Sequence, residues 1–131
     1  MTQNVPIYHL TPGSDYHGQS DDTTYQPASL AEEGFIHCTA GAAILLEVAN
    51  AFFAGLTGEL LALEIDPSRL AAPLKFEPPM PPAGSFDSSM VTFNPDPETL
   101  FPHIYGPLNR QAIKRIFALR RDPAGQWQMP E

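Results

Sequence analysis

Basic residues are scarce in this chain, 7 lysines and arginines against 15 aspartates and glutamates, and the formal charge of −8 repels phosphate backbones and anionic lipid surfaces. A long nucleic acid and a membrane surface are therefore not expected as partners. Cys38 is the only cysteine, so no intrachain disulfide can form, which fits a reducing compartment. No apolar run approaches the ~20 residues that cross a bilayer. The first residues have neither the basic region nor the apolar core of a signal peptide. Together these features predict a soluble, cytoplasmic protein. No Gly-rich phosphate loop, Gly-x-Ser-x-Gly elbow, Cys-x-x-Cys pair, His-x-His or His-Glu-x-x-His spacing occurs, so the familiar local signatures of phosphate, hydrolase and metal sites do not apply.

What the chain does contain is a pattern repeated three times. Its 131 residues, 43% of them apolar, suffice for one domain, 1–131, whose core needs no disulfide or metal. Three of the 4 histidines sit in short apolar runs: Ile7-Tyr8-His9-Leu10-Thr11, Phe35-Ile36-His37-Cys38-Thr39 and Phe101-Pro102-His103-Ile104-Tyr105. Successive side chains of a strand point to opposite faces, so each run places an apolar residue, a histidine and a hydroxyl on one face. Three buried imidazoles need polar partners, and a shared ligand would satisfy all of them. The spacing predicts that the faces converge on a single pocket. His17, in a polar stretch, reads as surface.

Taken in order, residues 5–11 read as a strand stopped at Thr11-Pro12-Gly13, and residues 14–26 as a polar stretch with at most a short irregular helix. Ser29 and Glu32 have capping-box spacing for one helical turn, which Gly34 would end. Thr39 is expected to cap the main helix, residues 40–54, with Ile44, Leu45, Val48, Ala51 and Phe52 on its buried stripe and Gly55 as its stop. Residues 60–65 are apolar on both faces apart from Glu64 and predict a central strand. Asp66-Pro67 opens a short turn, and residues 74–77 form a brief strand. A Pro-rich stretch, 78–99, is long for a compact domain and is a candidate lid. Residues 113–120 and Gln126-Trp127-Gln128 flank the turn Asp122-Pro123-Ala124-Gly125 as a terminal hairpin. Arg110, Lys114, Arg115, Arg120 and Arg121 make this end locally basic, and a solvated strand edge is the expected role of that cluster.

Two chemistries compete for three converging imidazoles. They could hold zinc with an open fourth position. Alternatively, with Thr11, Thr39 and Tyr105, they could form a hydrogen-bonding wall for a ribose, with Tyr8, Phe35, Phe101 and Tyr105 supplying stacking surface. Glu33 and Glu77 are placed to stabilise a developing cation or to act as bases. Cys38, facing the apolar side with no basic neighbour, is not expected to be a nucleophile.

The order of these motifs, Glu33-Gly34-Phe35-Ile36-His37-Cys38-Thr39 and Phe101-Pro102-His103-Ile104-Tyr105-Gly106-Pro107-Leu108 above all, resembles the bacterial domain-of-unknown-function family 952 over residues 7–122. That family is grouped with the ADP-ribosyltransferase-like fold. The resemblance implies an α+β domain of two small, mostly antiparallel sheets around a nucleotide cleft. In the wider group the first strand often reads apolar-Tyr-His-Gly-Thr, its histidine contacting the ribose of NAD; His9 and Thr11 match, while Leu10 stands where the glycine would be. His37 occupies the place of a tyrosine that stacks on nicotinamide. The third motif offers His103 and Tyr105 where the group usually has a catalytic glutamate. The expectation is a cleft walled by His9, Thr11, Phe35, His37, Thr39, His103 and Tyr105 that binds NAD, ADP-ribose or a related small molecule. Transfer or hydrolysis at the ribose C1′ would fall to His37, His103, Glu33 and Glu77. A non-catalytic metabolite-binding or interaction module, as monomer or homodimer, and a zinc hydrolase are the alternatives.

Overall fold

The chain combines short strands with helices, and a computed structural model describes residues 6–20, 23–78 and 100–130. The strands are β1 (Ile7–Pro12), β2 (Ile36–His37), β3 (Thr39–Ala40), β4 (Leu60–Ile65), β5 (Leu74–Glu77), β6 (Phe101–Ile104), β7 (Ile113–Ala118), β8 (Arg120–Arg121) and β9 (Trp127–Gln128). The helices are α1 (Gly13–His17), α2 (Ala28–Glu33) and α3 (Ala42–Phe52), with 3₁₀ turns at Pro67–Arg69 and Arg110–Ala112. Every pairing among the described residues is antiparallel: a four-stranded sheet in the order β3-β1-β4-β7, a three-stranded sheet β2-β6-β5, and the hairpin β8-β9. The architecture is α+β.

The alternation of β4 explains the layering. Leu61, Leu63 and Ile65 join Ile7, Ile36 and Ile104 in one core, between the two sheets. Leu60 and Ala62 face the other way and pack with Tyr8, Leu10, Leu45 and Ala49 beneath α3. A strand covered on both sides needs apolar residues at every position, as this one has except at Glu64. Burying each such Leu or Ile is worth roughly 1.5–3 kcal/mol.

Several boundaries differ from the sequence expectation, each for a local reason. The single strand expected over 35–39 breaks at Cys38, whose N–H goes to the Pro102 carbonyl at 3.0 Å, and its halves enter different sheets. Thr39 therefore pairs opposite Tyr8 in the larger sheet and caps no helix. Helix α3 starts at Ala42, after Gly41 turns the chain at φ 92°, and ends at Phe52, inside the expected 40–54. Its buried residues are Leu45, Ala49 and Ala51; Ile44 and Phe52 are only half-buried. Ser29 lies inside α2, which begins at Ala28 behind Pro27. The last long strand is interrupted at Leu119, which turns inward. The hairpin forms around Asp122, and Arg121 lies 3.9 Å over Trp127 while its guanidinium donates to the carbonyls of Ala54 and Leu56. The basic cluster is thus distributed: Arg110 lies over Tyr16, Lys114 and Arg115 flank Glu64, and Arg121 is tied to the end of α3. The Pro-rich stretch lies outside the described residues from 79 to 99. Among the described residues no helix is long and apolar enough to cross a membrane.

Gly34 is the turn on which the site depends. It adopts φ 87°, its N–H closes α2 on the Leu30 carbonyl at 2.9 Å, and no atom lies within 4 Å of where a Cβ would stand. With space available, Gly34→Ala is expected to cost only backbone strain, about 1 kcal/mol, read as a shift of the urea midpoint at constant slope. A cost above about 3 kcal/mol would show that the space is not free.

Candidate functional site

The smaller sheet places the second and third histidines side by side. In the β2–β6 register His37 is directly opposite His103, and in β5–β6 Lys75 is directly opposite His103, so one rung carries two imidazoles and an ammonium side chain. Directly opposed residues project to the same face of a sheet. The two imidazole centroids are 5.6 Å apart with the rings at 75°. Phe35, just ahead of β2, stacks on His103 at 4.2 Å and 22°, and also meets His37 at 4.8 Å and Tyr105 at 5.3 Å. Lys75 Nζ stands 5.0 Å over the Tyr105 ring.

Each of these imidazoles has its own carboxylate. His37 Nε2–H donates to Glu33, which the Gly34 turn brings back four residues along the chain. His103 Nδ1–H donates to Glu77 Oε1 at 2.7 Å, and the Tyr105 hydroxyl donates to the same oxygen at 2.6 Å. These two donors hold Glu77 below the usual glutamate range, the tyrosine contributing most, and the carboxylate in turn pushes the Tyr105 phenol up. Burial lowers the His37 imidazole despite the opposing pull of Glu33, so it is neutral at neutral pH. A neutral imidazole donating from one nitrogen carries its lone pair on the other, which in His37 is Nδ1.

His9 joins from the larger sheet. Its Nδ1–H donates to the main-chain carbonyl of His37 at 2.7 Å, which ties β1 to the site strand. Its Nε2 is buried and makes no hydrogen bond among the described residues. Burial pushes this imidazole down to about 4. His9 therefore offers Nε2 only as an acceptor.

The structure brings together Glu33, Phe35, His37, Glu77, His103 and Tyr105, with His9 against the backbone of His37. It does not bring in Thr11, whose hydroxyl is 2.6 Å from that of Tyr25, nor Thr39, which lies opposite Tyr8. His17 is exposed, 3.8 Å from Glu59. Burial raises the Cys38 thiol, leaving it protonated in the core. Among the described residues no group of three or more His, Cys, Asp or Glu side chains is arranged to hold a metal ion. Two further residues bear on the site, and of these only Tyr25 gives no signal in the sequence. Lys75 alternates with Glu77 in Leu74-Lys75-Phe76-Glu77, so strand periodicity already put both on one face. Tyr25 is fully buried, 6.2 Å ring to ring from His9, yet it lies in a polar stretch with no period to reveal it.

No curated protein matches the chain. The crystal structure of protein CC0527 from Caulobacter crescentus is similar over 94% of this chain and 93% of that one, with a TM-score of 0.70 and 25% sequence identity. A double mutant of the same protein matches over the same shares with a TM-score of 0.70 and 24% identity. The family model described as a protein of unknown function, DUF952, matches residues 10–116, from within β1 to within β7. That span exceeds half of the chain, which therefore belongs to the DUF952 family.

Proposed function

We propose that this chain is an ADP-ribosyltransferase-like domain that binds NAD, ADP-ribose or a related ribosyl compound at the His9–His37–His103 cluster and catalyses transfer or hydrolysis at the ribose C1′. The observation that carries this reading is the direct opposition of His37 and His103, each with a carboxylate on one ring nitrogen. Two adjacent imidazoles so held can exchange protons with a bound substrate near neutral pH. His9 Nε2 is an acceptor suited to a ribose hydroxyl, and Phe35 and Tyr105 offer ring faces.

In the reaction the C1′–leaving-group bond breaks and a C1′–oxygen bond forms to water or an acceptor hydroxyl. A neutral imidazole takes the proton of that nucleophile. A pyridinium leaving group departs neutral and needs no proton, and the imidazole returns to solvent the proton that it took. Glu33 and Glu77 bring negative charge to the side of the site where the sugar becomes cationic.

Calorimetric titration with NAD and with ADP-ribose is expected to give saturable heat that disappears in His9→Ala and His37→Ala while circular dichroism stays unchanged. Absence of heat with both ligands refutes ribosyl binding. Recovery of bound ligand unchanged by mass spectrometry would instead make the domain a binding module.

A further inference from the structure

We infer that Tyr105 is a positioning residue: its hydroxyl pins the Glu77 carboxylate, and the pinned carboxylate fixes which way the His103 imidazole faces during the ribosyl chemistry. This deepens the ribosyl reading above and rests on it. The His103 side chain is 3% exposed and stacks on Phe35 at 4.2 Å and 22°. Stacking sets the plane of the ring but not which edge points where, since a half-turn within the same slot exchanges its nitrogens for carbons. The bond from Nδ1–H to Glu77 Oε1 makes that choice.

Glu77 cannot hold the ring by itself. Its side chain has several rotatable bonds and is 33% exposed, so a single contact leaves the carboxylate free to turn. The Tyr105 hydroxyl supplies a second donor to the same oxygen, at 2.6 Å beside the 2.7 Å of His103. Tyr105 is itself anchored. Its main-chain N–H donates to the Pro73 carbonyl at 2.8 Å, just ahead of β5, and its side chain reaches Glu77, the last residue of that strand. Between those two ends the ring has the Lys75 ammonium 5.0 Å from its centroid and Phe35 at 5.3 Å. The hydroxyl is therefore a fixed point, which the glutamate is not. The other charged or titratable groups facing the pair are Lys75 and, across the sheet, His37 with its partner Glu33. Of the groups that draw the Glu77 carboxyl down, Tyr105 comes first and Lys75 last.

The test compares the parent with Tyr105→Phe, which keeps the ring against Phe35 and Lys75 and removes only the hydroxyl. With NAD as substrate, kcat is expected to fall about tenfold, the increment of one hydrogen bond to a charged group, while KM stays within about twofold. In the same variant the Glu77 carboxyl, followed by isotope-edited NMR, titrates higher than in the parent, because its leading donor is gone. A raised KM with kcat kept assigns the hydroxyl to the ligand itself and overturns the inference. An unchanged kcat, or a Glu77 titration that does not move, overturns it as well. Each of these leaves the ribosyl reading intact provided the parent turns NAD over. A parent that leaves both NAD and ADP-ribose unaltered overturns both.

Discussion

Acidification from pH 6.5 to pH 4 is expected to remove on the order of 3 kcal/mol of folding stability through His9 alone, since burial lowers this group from 6.5 to about 4. The sign follows from proton uptake. Between those two values the unfolded chain binds a proton at this position and the folded chain does not, so falling pH favours unfolding. The contribution is fully present above pH 6.5 and is spent once the pH is below about 4. His37 is shifted in the same direction by burial and adds to the slope. Asp66, Glu77 and Asp122 are also lowered, from 3.8, 4.5 and 3.8, so their contributions are lost mainly below that window. Against a typical total of about 5–15 kcal/mol, the His9 effect is large. Urea unfolding at half-unit pH steps measures it. His9→Asn, which keeps a side-chain N–H near the His37 carbonyl, should flatten the slope between pH 4 and 6.5. An unchanged slope in that variant would mean that the acid lability originates elsewhere.

Loss of either site imidazole is expected to lower turnover of a ribosyl substrate by about 10²–10⁴-fold, the usual span for general acid–base groups. The double variant His37→Ala/His103→Ala should fall little further than the worse single one, because groups acting together in one step are not additive. With NAD, whose leaving group needs no proton, the rate should rise with pH to a plateau as the base loses its proton. Burial of His37 keeps it unprotonated at neutral pH, which fits it for the base role. Mass spectrometry of NAD and ADP-ribose after incubation gives the rate, with circular dichroism as the check on folding. Single variants retaining turnover within about threefold of the parent would remove both histidines from the chemistry.

The legible parts of this protein are those where one stretch of chain sets its own outcome. The continuous apolar run Leu60–Ile65, the Asp66 cap with Pro67 behind it, the left-handed Gly34 and the hairpin at Asp122 are all local, and all are present. The antiparallel α+β class is likewise present. The misread parts required knowledge of a distant partner. Residues 35–39 have uniform alternation, yet Cys38 donates to Pro102 and Thr39 pairs with Tyr8, so the chain changes sheets in mid-run. That exchange also took Thr39 and Ala40 from the expected start of α3.

The histidine pattern divides in the same way. Period-2 spacing determined that His37 shares a face with Phe35, that His103 shares one with Phe101 and Tyr105, and that Lys75 shares one with Glu77. Whether those faces adjoin was settled by the β2-β6-β5 register, a contact between segments far apart in sequence. Thr11 satisfied the same pattern but found Tyr25, because β1 lies in the other sheet. Periodicity is a property of the backbone and can be read from order alone; adjacency depends on which buried surfaces pack together, and only the folded chain decides that.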